Sequence, residues 1–454
     1  MSPTQDPLRR TARFAIDLAR WIGLGAASGV LAGLACWAFL EVLDRATDAR
    51  LDHGWLVWLL PLAGLGVGLA YHLIGGRAGE GNALLLDEIH EPTAWVPRRM
   101  APLVAVGTVV SQLFGASVGR EGTALQMSGS LSDWLARVLG LRPEDRRILL
   151  TAALGGGFGA IFGVPLAGAV FGLEVQRVAW THHLRTLSRQ SSDGEAGRRW
   201  TALGVWVRLA LATLVASVVG NFVVLGLGYD HGTKPQINVG IDAALLGRVA
   251  LVGVACGLMA ILFIEATDLV RLGLRPVRWA PARPTIGGVL VLCGVALVGR
   301  AYLGLSLPLI SNALAGDHTS LGEPFAKLAF TVVCIGAGFV GGEVTPLFVI
   351  GTTLGAALAP MLGLDPVVGA AVGFGAVFAG ATNTPAACAV MGMELFGFGA
   401  AVPLILTCAV AYVCSGRRGI YATQRVTVDG RPLAVHDLPG LHLRLIPHRY
   451  RTPS

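Results

Sequence analysis

The segment Gly119-Arg120-Glu121-Gly122 places a guanidinium and a carboxylate between two glycines, in a part of the chain that is otherwise apolar. An ionisable side chain inside a membrane is costly, and such residues commonly mark ion pathways and proton relays. Two roles are open to Glu121: proton and anion chemistry, or a buried ion pair with Arg120. The flanking glycines allow a flexible turn that opens a helix.

The second half of the chain repeats this motif. Residues 119–129, GREGTALQMSG, match residues 341–351, GGEVTPLFVIG, at five positions that lie 222 residues apart. Residues 165–174, PLAGAVFGLE, match residues 385–394, PAACAVMGME, at six positions that lie 220 residues apart. A chance match of Gly-rich apolar sequence is the alternative, and the shared Pro and Glu argue against it. The chain is therefore expected to be a duplication of roughly 200 residues per half.

The matched blocks have the composition of helix starts. Pro165, Pro346 and Pro385 stand where a first helical turn tolerates proline. The first N–H groups of a helix and its dipole together form an anion site that needs no full positive charge. In transporters built from repeats, broken helices form the substrate site near the membrane midplane. The repeat thus predicts an anion site made of helix starts.

Composition identifies the fold class. Hydrophobic residues make up 54% of the 454, charged residues 14%, and the mean hydropathy is +0.64. Long apolar runs recur along the chain, and several can cross a hydrocarbon core as a helix. These runs are residues 21–43, 55–74, 101–117, 149–173, 206–228, 243–264, 285–305 and 325–414. Because they are continuous rather than alternating, we predict an all-α polytopic membrane protein and not a β-barrel.

The charge pattern predicts orientation and excludes several functions. The net charge is +7, and basic clusters flank the apolar runs, which places both termini in the cytoplasm. A nucleic-acid partner is not expected, because no single aromatic-laced basic patch is present. The chain has no nucleotide-binding loop of the GxxxxGK[ST] kind, and its seven cysteines lack metal-type spacing. We expect no metal and no cofactor.

Three motifs in order resemble the CLC family of anion channels and anion/proton antiporters. GREGT (residues 119–123) looks like the family's GREGP-type motif, GGEVTP (341–346) is similar to its GxFxP-type motif, and GVPLAGAVFGLE (163–174) resembles its Pro-Leu-Ala-Gly segment. The resemblance covers residues 21–424. It implies a CLC fold with two inverted repeats and broken helices around a midplane anion site, a homodimer, and one anion pathway per subunit. It also makes Glu121 the gate and proton carrier.

The chain departs from the common chloride pattern at several positions. In GEGNALL (residues 79–85), Asn82 takes the place of the family's anion-binding Ser, or Glu80 does if Gly79 is the motif glycine; we prefer Asn82, since a second carboxylate would repel the anion. Val175 stands where proton-coupled chloride members often carry a Glu. Val344 replaces the Phe of GxFxP. These departures resemble the bacterial fluoride/proton antiporter branch.

The expected function is therefore export of fluoride in exchange for protons through a bacterial inner membrane. Fluoride is small and strongly hydrated, so a site for it needs strong donors at short range. Besides Glu121, the expected anion-binding residues are Asn82, Gly119, Arg120, Gly122, Val344, Thr345 and, from GIYATQR, Tyr421. The alternatives are a chloride/proton antiporter or passive chloride channel of the same fold, and an ion-coupled carrier of an organic anion. No enzyme is expected.

Domain limits and secondary candidates complete the prediction. We expect a cytoplasmic segment at residues 1–20, a transmembrane domain at 21–424 with halves at about 21–228 and 243–424, and a short cytoplasmic tail at 425–454. Glu343, Glu174 and Glu394 are expected to be structural, with a proton role as the alternative. The acidic and histidine residues of LLLDEIHE, Asp87, Glu88, His90 and Glu91, are expected to be solvated at a membrane boundary rather than to bind metal.

Overall fold

The computed structural model describes residues 7–176, 180, 195–232, 234–416, 418–428 and 431–434. It describes side chains over residues 14–176, 180, 203–232, 234–416 and 418–425. The basic segment at 177–199 lies mostly outside these residues, as do the first six residues and most of the predicted tail.

Helices account for most of the described chain. They are α1 (Pro7–Asp52), α2 (Leu60–Ala70), α3 (Asn82–His90), α4 (Met100–Leu113), α5 (Glu121–Val138), α6 (Pro143–Phe162), α7 (Pro165–Glu174), α8 (Glu195–Gly226), α9 (Ala243–Leu274), α10 (Ala282–Val298), α11 (Leu307–Ala315), α12 (Gly322–Ala337), α13 (Val344–Leu362), α14 (Pro366–Thr382), α15 (Pro385–Phe396) and α16 (Ala401–Ser415). Short 3-10 or π turns occupy Gly54–Leu59, Tyr71–Gly75, Gly76–Glu80 and Phe398–Ala400. An antiparallel hairpin, β1 (Arg425–Val428) with β2 (Arg431–Ala434), follows α16.

The chain divides into two compact units. Unit 1 comprises Met1–Asp44, Arg77–Ala105 and Glu121–Thr233, and unit 2 comprises Arg45–Gly76, Val106–Arg120 and Lys234–Ser454. The predicted repeat halves are defined by sequence rather than by contacts, and they remain a prediction.

Small residues let helices of unit 1 approach closely. Gly25, Gly29 and Gly33 lie four residues apart on one face of α1, and a Cβ on each would meet a backbone oxygen of α8 at 2.6–2.7 Å. Inside a membrane the hydrophobic effect does not drive helices together, because lipid is as apolar as their side chains. Close backbone-to-backbone packing provides dispersion contacts instead. Trp21 and Trp180 anchor the apolar core beside this contact.

Unit 2 contains an equally close helix pair. Gly351 and Gly355 of α13 stand against Gly373 and Gly369 of α14, and a Cβ on any of the four would overlap a backbone carbonyl of the other helix. All four residues are buried. The high glycine content, 62 residues, thus supports helix packing in both units.

The order of helices is consistent with the sequence repeat. α5, α6 and α7 have the same order as α13, α14 and α15, and Pro165 and Pro385 are the first residues of α7 and α15. Gly163 ends α6 and Asn383 ends α14, both in the left-handed conformation, with φ of +74° and +58°. The two residues lie 220 residues apart, as the matched blocks do.

Among the described residues, six helical segments are long and apolar enough to cross a membrane. They are Phe14–Asp52, Gly54–His90, Leu203–Gly226, Ala243–Leu274, Val344–Leu362 and Phe398–Ser415. Shorter apolar helices, among them α7 and α15, lie between them in the chain. The predicted all-α polytopic membrane class is confirmed.

Candidate anion site

Glu121 begins helix α5, as its position between glycines predicts. Its side chain is 0% exposed, and Gly122 and Thr123 after it are also buried. A carboxylate in the first turn lies at the positive end of the helix dipole, which stabilises its ionised form. The same end would stabilise an anion that took the place of the carboxylate. Glu121 is thus placed where its negative charge and an anion would compete.

Asn82 begins helix α3, which packs on α5 within unit 1. Gly81 before it has a φ of +61°, and a Cβ there would stand 3.4 Å from Nε2 of Gln126 on α5. Oδ1 of Asn82 is buried and has no hydrogen-bond partner among the described residues. Because rotation of the terminal amide exchanges its oxygen and nitrogen, this buried position can present an N–H donor. The start of α3 can therefore donate to an anion near α5.

An ionic network fixes the other end of α3. Glu88 accepts from Nη2 of Arg77 at 3.0 Å, from Nη1 of Arg146 at 3.1 Å and from the N–H of Ala94 at 3.1 Å. Nε of Arg146 also donates to Asp133 of α5, a side chain that is fully buried. Since α3 has nine residues, anchoring its last turn to α5 and α6 also sets the position of its first residue.

The solvated role expected for Glu88 was wrong. Glu88 is 1% exposed, because Arg146 and the loop that follows α3 supply the charge and donors that a buried carboxylate needs. Its ion-pair partner Arg146 lies 58 residues further along the chain, and no local sequence pattern indicates such a distant contact.

Loss of this network should destabilise the protein. We expect Arg146→Met to lower the free energy of unfolding by about 3–5 kcal/mol, because Glu88 and Asp133 lose a buried counter-charge. Arg142→Met is the matched control: its side chain is 75% exposed and pairs with Asp145 one turn away. Thermal unfolding in detergent measures both. Equal melting temperatures for the two variants would contradict the anchoring role.

In unit 2, the turn before Glu121 pairs with the turn before α13. Gly119 and Gly342 exchange backbone hydrogen bonds, with the N–H of Gly342 donating to the carbonyl of Gly119 at 2.8 Å. Val344 and Thr345 follow as the first two residues of α13 and are 0% and 3% exposed. The two matched motifs thus meet directly at their glycines.

Positive charge accumulates beside this turn. Arg120 follows Gly119, and Lys234 lies in the segment between α8 and α9. Burial lowers the pKa of Lys234, and the charge of Arg120 lowers it further. The charge of Arg120 thus acts on Lys234, and the summed positive potential of the two cations favours anions.

Tyr421 is held by the end of α14. Asn383 donates through Nδ2 to the carbonyl of Arg418 at 3.0 Å and to Oε1 of Gln424 at 3.1 Å. Gln424 in turn donates to the carbonyl of Thr382 at 2.9 Å. Tyr421, which is 4% exposed, lies between the clamped ends of this short segment. The side chain of Asn383 therefore fixes where Tyr421 can stand.

Comparison with known proteins identifies the family. The family profile "Voltage gated chloride channel" matches residues 63–416. A Pseudomonas syringae pv. tomato protein named "Chloride/fluoride channel protein" is 44% identical over 420 residues, which cover 90% of this chain and 87% of that protein. The chain belongs to the CLC family. CLC proteins are channels and transporters rather than enzymes.

Other relatives agree in fold. The crystal structure of a CLC-type fluoride/proton antiporter matches with a TM-score of 0.79 and 28% identity, covering 90% of this chain and 98% of that one. A Yersinia pestis "H(+)/Cl(-) exchange transporter ClcA" is 28% identical over 469 residues and covers 92% of both chains. A cyanobacterial Cl-/H+ antiporter matches with a TM-score of 0.68 at 20% identity, over 88% of this chain and 94% of that one, and shows the fold alone. The expected CLC fold is confirmed.

Each unit of this CLC protein brings together part of the expected site. Unit 1 holds Asn82 and Glu121 on two packed helices. Unit 2 joins the Gly119 turn to the start of α13, which carries Thr345, and holds Tyr421 at the end of α14. We propose that these residues bind the anion.

Sequence reasoning missed Gln126 and Asn383. Gln126 lies within the motif that drew attention to Glu121, and only the packing of α3 on α5 shows that it faces Gly81. Asn383 had a usable signal, because it occupies the repeat position of Gly163, and glycine and asparagine are the residues that tolerate the left-handed conformation.

The other carboxylates keep their sequence-based interpretation. Glu343 directly precedes α13, Glu174 ends α7, and Glu394 lies in the last turn of α15; the last two are half-buried. Their equivalent places at helix ends fit a structural role, which stays a prediction.

Proposed function

We propose that this CLC protein exports fluoride in exchange for protons, with Glu121 as gate and proton carrier. The observation that carries the proposal is the fully buried Glu121 at the start of α5, with α3 and its Asn82 packed on the same helix. Similarity to a CLC-type fluoride/proton antiporter and to a protein named for both chloride and fluoride supports it.

The mechanism follows from charge competition. Ionised Glu121 occupies the positive end of α5 and excludes an anion; protonation removes its charge, so an anion takes its place. The backbone around Gly119, Arg120 and Gly122 supplies N–H donors with little steric cost. The carboxylate takes up a proton when the anion replaces it, and it releases the proton when it displaces the anion. Fluoride and the proton therefore cross the membrane in opposite directions.

Selectivity for fluoride is assigned to short-range donors. We propose that Asn82 and the hydroxyl of Thr345 donate hydrogen bonds to fluoride. Val344 would narrow the anion pathway at the start of α13, and the hydroxyl of Tyr421 would donate from the cytoplasmic side. A small anion gains more from donors at short distance than a large one does, which offsets its greater hydration.

The remaining expectations join this proposal. The protein would act as a homodimer in a bacterial inner membrane, with both termini in the cytoplasm, with residues 21–424 as its membrane domain between a short N-terminal segment and a short tail. A chloride/proton antiporter is the second candidate, favoured by the exchange transporter that is 28% identical to this chain.

Liposome efflux tests the proposal. Vesicles loaded with potassium fluoride or potassium chloride are given valinomycin, and the anion and the external pH are recorded in one trace. We expect fluoride efflux with proton uptake and little chloride movement. Chloride efflux at an equal rate would replace the fluoride assignment by the second candidate, and efflux of either anion without pH change would make the protein a channel.

A further inference from the structure

Arg50 carries a buried positive charge near the end of α1, within unit 2. Its residue is 8% exposed, and its Nε has no hydrogen-bond acceptor among the described residues. Among those residues, no carboxylate forms an ion pair with it. A buried guanidinium without a counter-charge is unfavourable, because it loses hydration and gains nothing in return.

A second buried cation stands beside it. Lys327 of α12 is 0% exposed, and its Nζ lies 3.2 Å from the carbonyl oxygen of Tyr302, 2.7 Å from that of Gly304 and 2.9 Å from Oγ of Ser306. Carbonyl oxygens only accept, and the hydroxyl of Ser306 donates to the carbonyl of Leu303 at 3.2 Å. The three oxygen atoms around Nζ favour an ammonium ion, which can donate to all of them, over a neutral amine, which has only two hydrogens.

The two cations converge on Gly304. Its carbonyl accepts from Lys327, and a Cβ on Gly304 would stand 2.9 Å from Nη2 of Arg50 and 3.0 Å from Oε1 of Gln112. The φ of Gly304 is +61°, a conformation that favours glycine. The like charges of Arg50 and Lys327 repel in surroundings of low dielectric constant.

We infer that Arg50 binds one small monovalent anion, a halide, which compensates the paired charges of Arg50 and Lys327. The unpartnered Nε of Arg50 is the donor available to it, since the oxygen atoms around Nζ of Lys327 already take up its hydrogens. A water molecule at the same place could accept from Nε but would leave both positive charges uncompensated. This Arg50–Lys327 site does not use Asn82 or Thr345, so it is independent of the proposed transport function.

The site borders the loop that leads to the gate. The N–H of Gly304 donates to the carbonyl of Gly115 at 3.3 Å, and Nε2 of Gln112 donates to the carbonyl of Val118, which precedes the Gly119 turn. An anion held by Arg50 would therefore stiffen the segment that ends at Glu121. Its role is structural rather than a step of the transport path.

Anion-dependent unfolding tests the inference. Melting temperature is measured in detergent as sodium gluconate is exchanged for chloride or fluoride at constant ionic strength, for wild type, Arg50→Gln and Arg45→Gln. A ligand that binds only the folded state raises stability by RT ln(1 + [L]/Kd). We expect the wild type and Arg45→Gln, an exposed arginine on the same helix, to gain equally. The melting temperature of Arg50→Gln should rise less with chloride or fluoride, and any rise that remains is due to anion binding at the transport sites. A rise as large as that of the wild type would overturn the inference.

Bromide diffraction keeps the test valid if Arg50→Gln fails to fold. Wild-type crystals grown in sodium bromide should show an anomalous peak within about 3.5 Å of Nε of Arg50, a contact distance for a larger halide acceptor. Density there without anomalous signal, at a bromide concentration that fills other sites, would assign the position to water and overturn the inference.

Discussion

Glu121→Gln should abolish proton movement and leave anion movement in place. Glutamine keeps the size of the side chain but cannot ionise, so it neither carries a proton nor competes with the anion for the start of α5. Burial at 0% exposure means that bulk water cannot stand in for the lost carboxylate. Efflux of fluoride with simultaneous pH recording measures both movements in one experiment.

A control variant shows whether the effect is specific to Glu121 or follows from removing any carboxylate. Glu144→Gln removes an exposed carboxylate at the start of α6 and should exchange fluoride for protons as the wild type does. If Glu121→Gln still moved protons in fixed ratio to fluoride, the proton carrier would be another group, and Glu343 would be the first to test.

Thr345→Val should lower the preference for fluoride over chloride by about tenfold or more. Valine keeps the branched shape and removes the hydroxyl, and a hydrogen bond to a charged partner contributes about 1.5–3 kcal/mol. Chloride transport should decrease less, because a larger anion gains less from hydrogen-bond donors at short distance. Initial efflux rates of the two anions from parallel vesicles give the ratio.

Two further substitutions make the result specific. Thr345→Ser restores the hydroxyl and should restore the preference. Thr353→Val, on the same helix, removes a buried hydroxyl that is bonded to the carbonyl of Val349 at 2.8 Å, and should leave the ratio unchanged. An unchanged ratio in Thr345→Val would remove Thr345 from the proposed fluoride site.

Local signals predicted the helix starts well. Glycine turns before Glu121 and Val344, and prolines at positions 165 and 385, are short-range features, and the helices begin where they indicate. The sequence repeat also predicted that the starts of α5 and α13 are equivalent, and the backbone pairing of Gly119 with Gly342 is consistent with this.

Distant partners could not be predicted in this way. Glu88 looked exposed because its charge is visible in the sequence, whereas its partner Arg146 is not. Lys327 lies in an apolar run, and its acceptors are backbone carbonyls whose direction only the folded loop sets. Side-chain type alone therefore does not decide whether a membrane charge is part of a site or part of the scaffold.

The contact between α13 and α14 limits how this protein can evolve. Where two side chains clash, a second mutation to a smaller residue can relieve the first. At Gly351, Gly355, Gly369 and Gly373 the obstacle is the opposing main chain, which has nothing left to shrink. Truncation of a neighbouring side chain therefore cannot relieve such a change. We therefore expect these four glycines to stay fixed while positions elsewhere on the two helices vary.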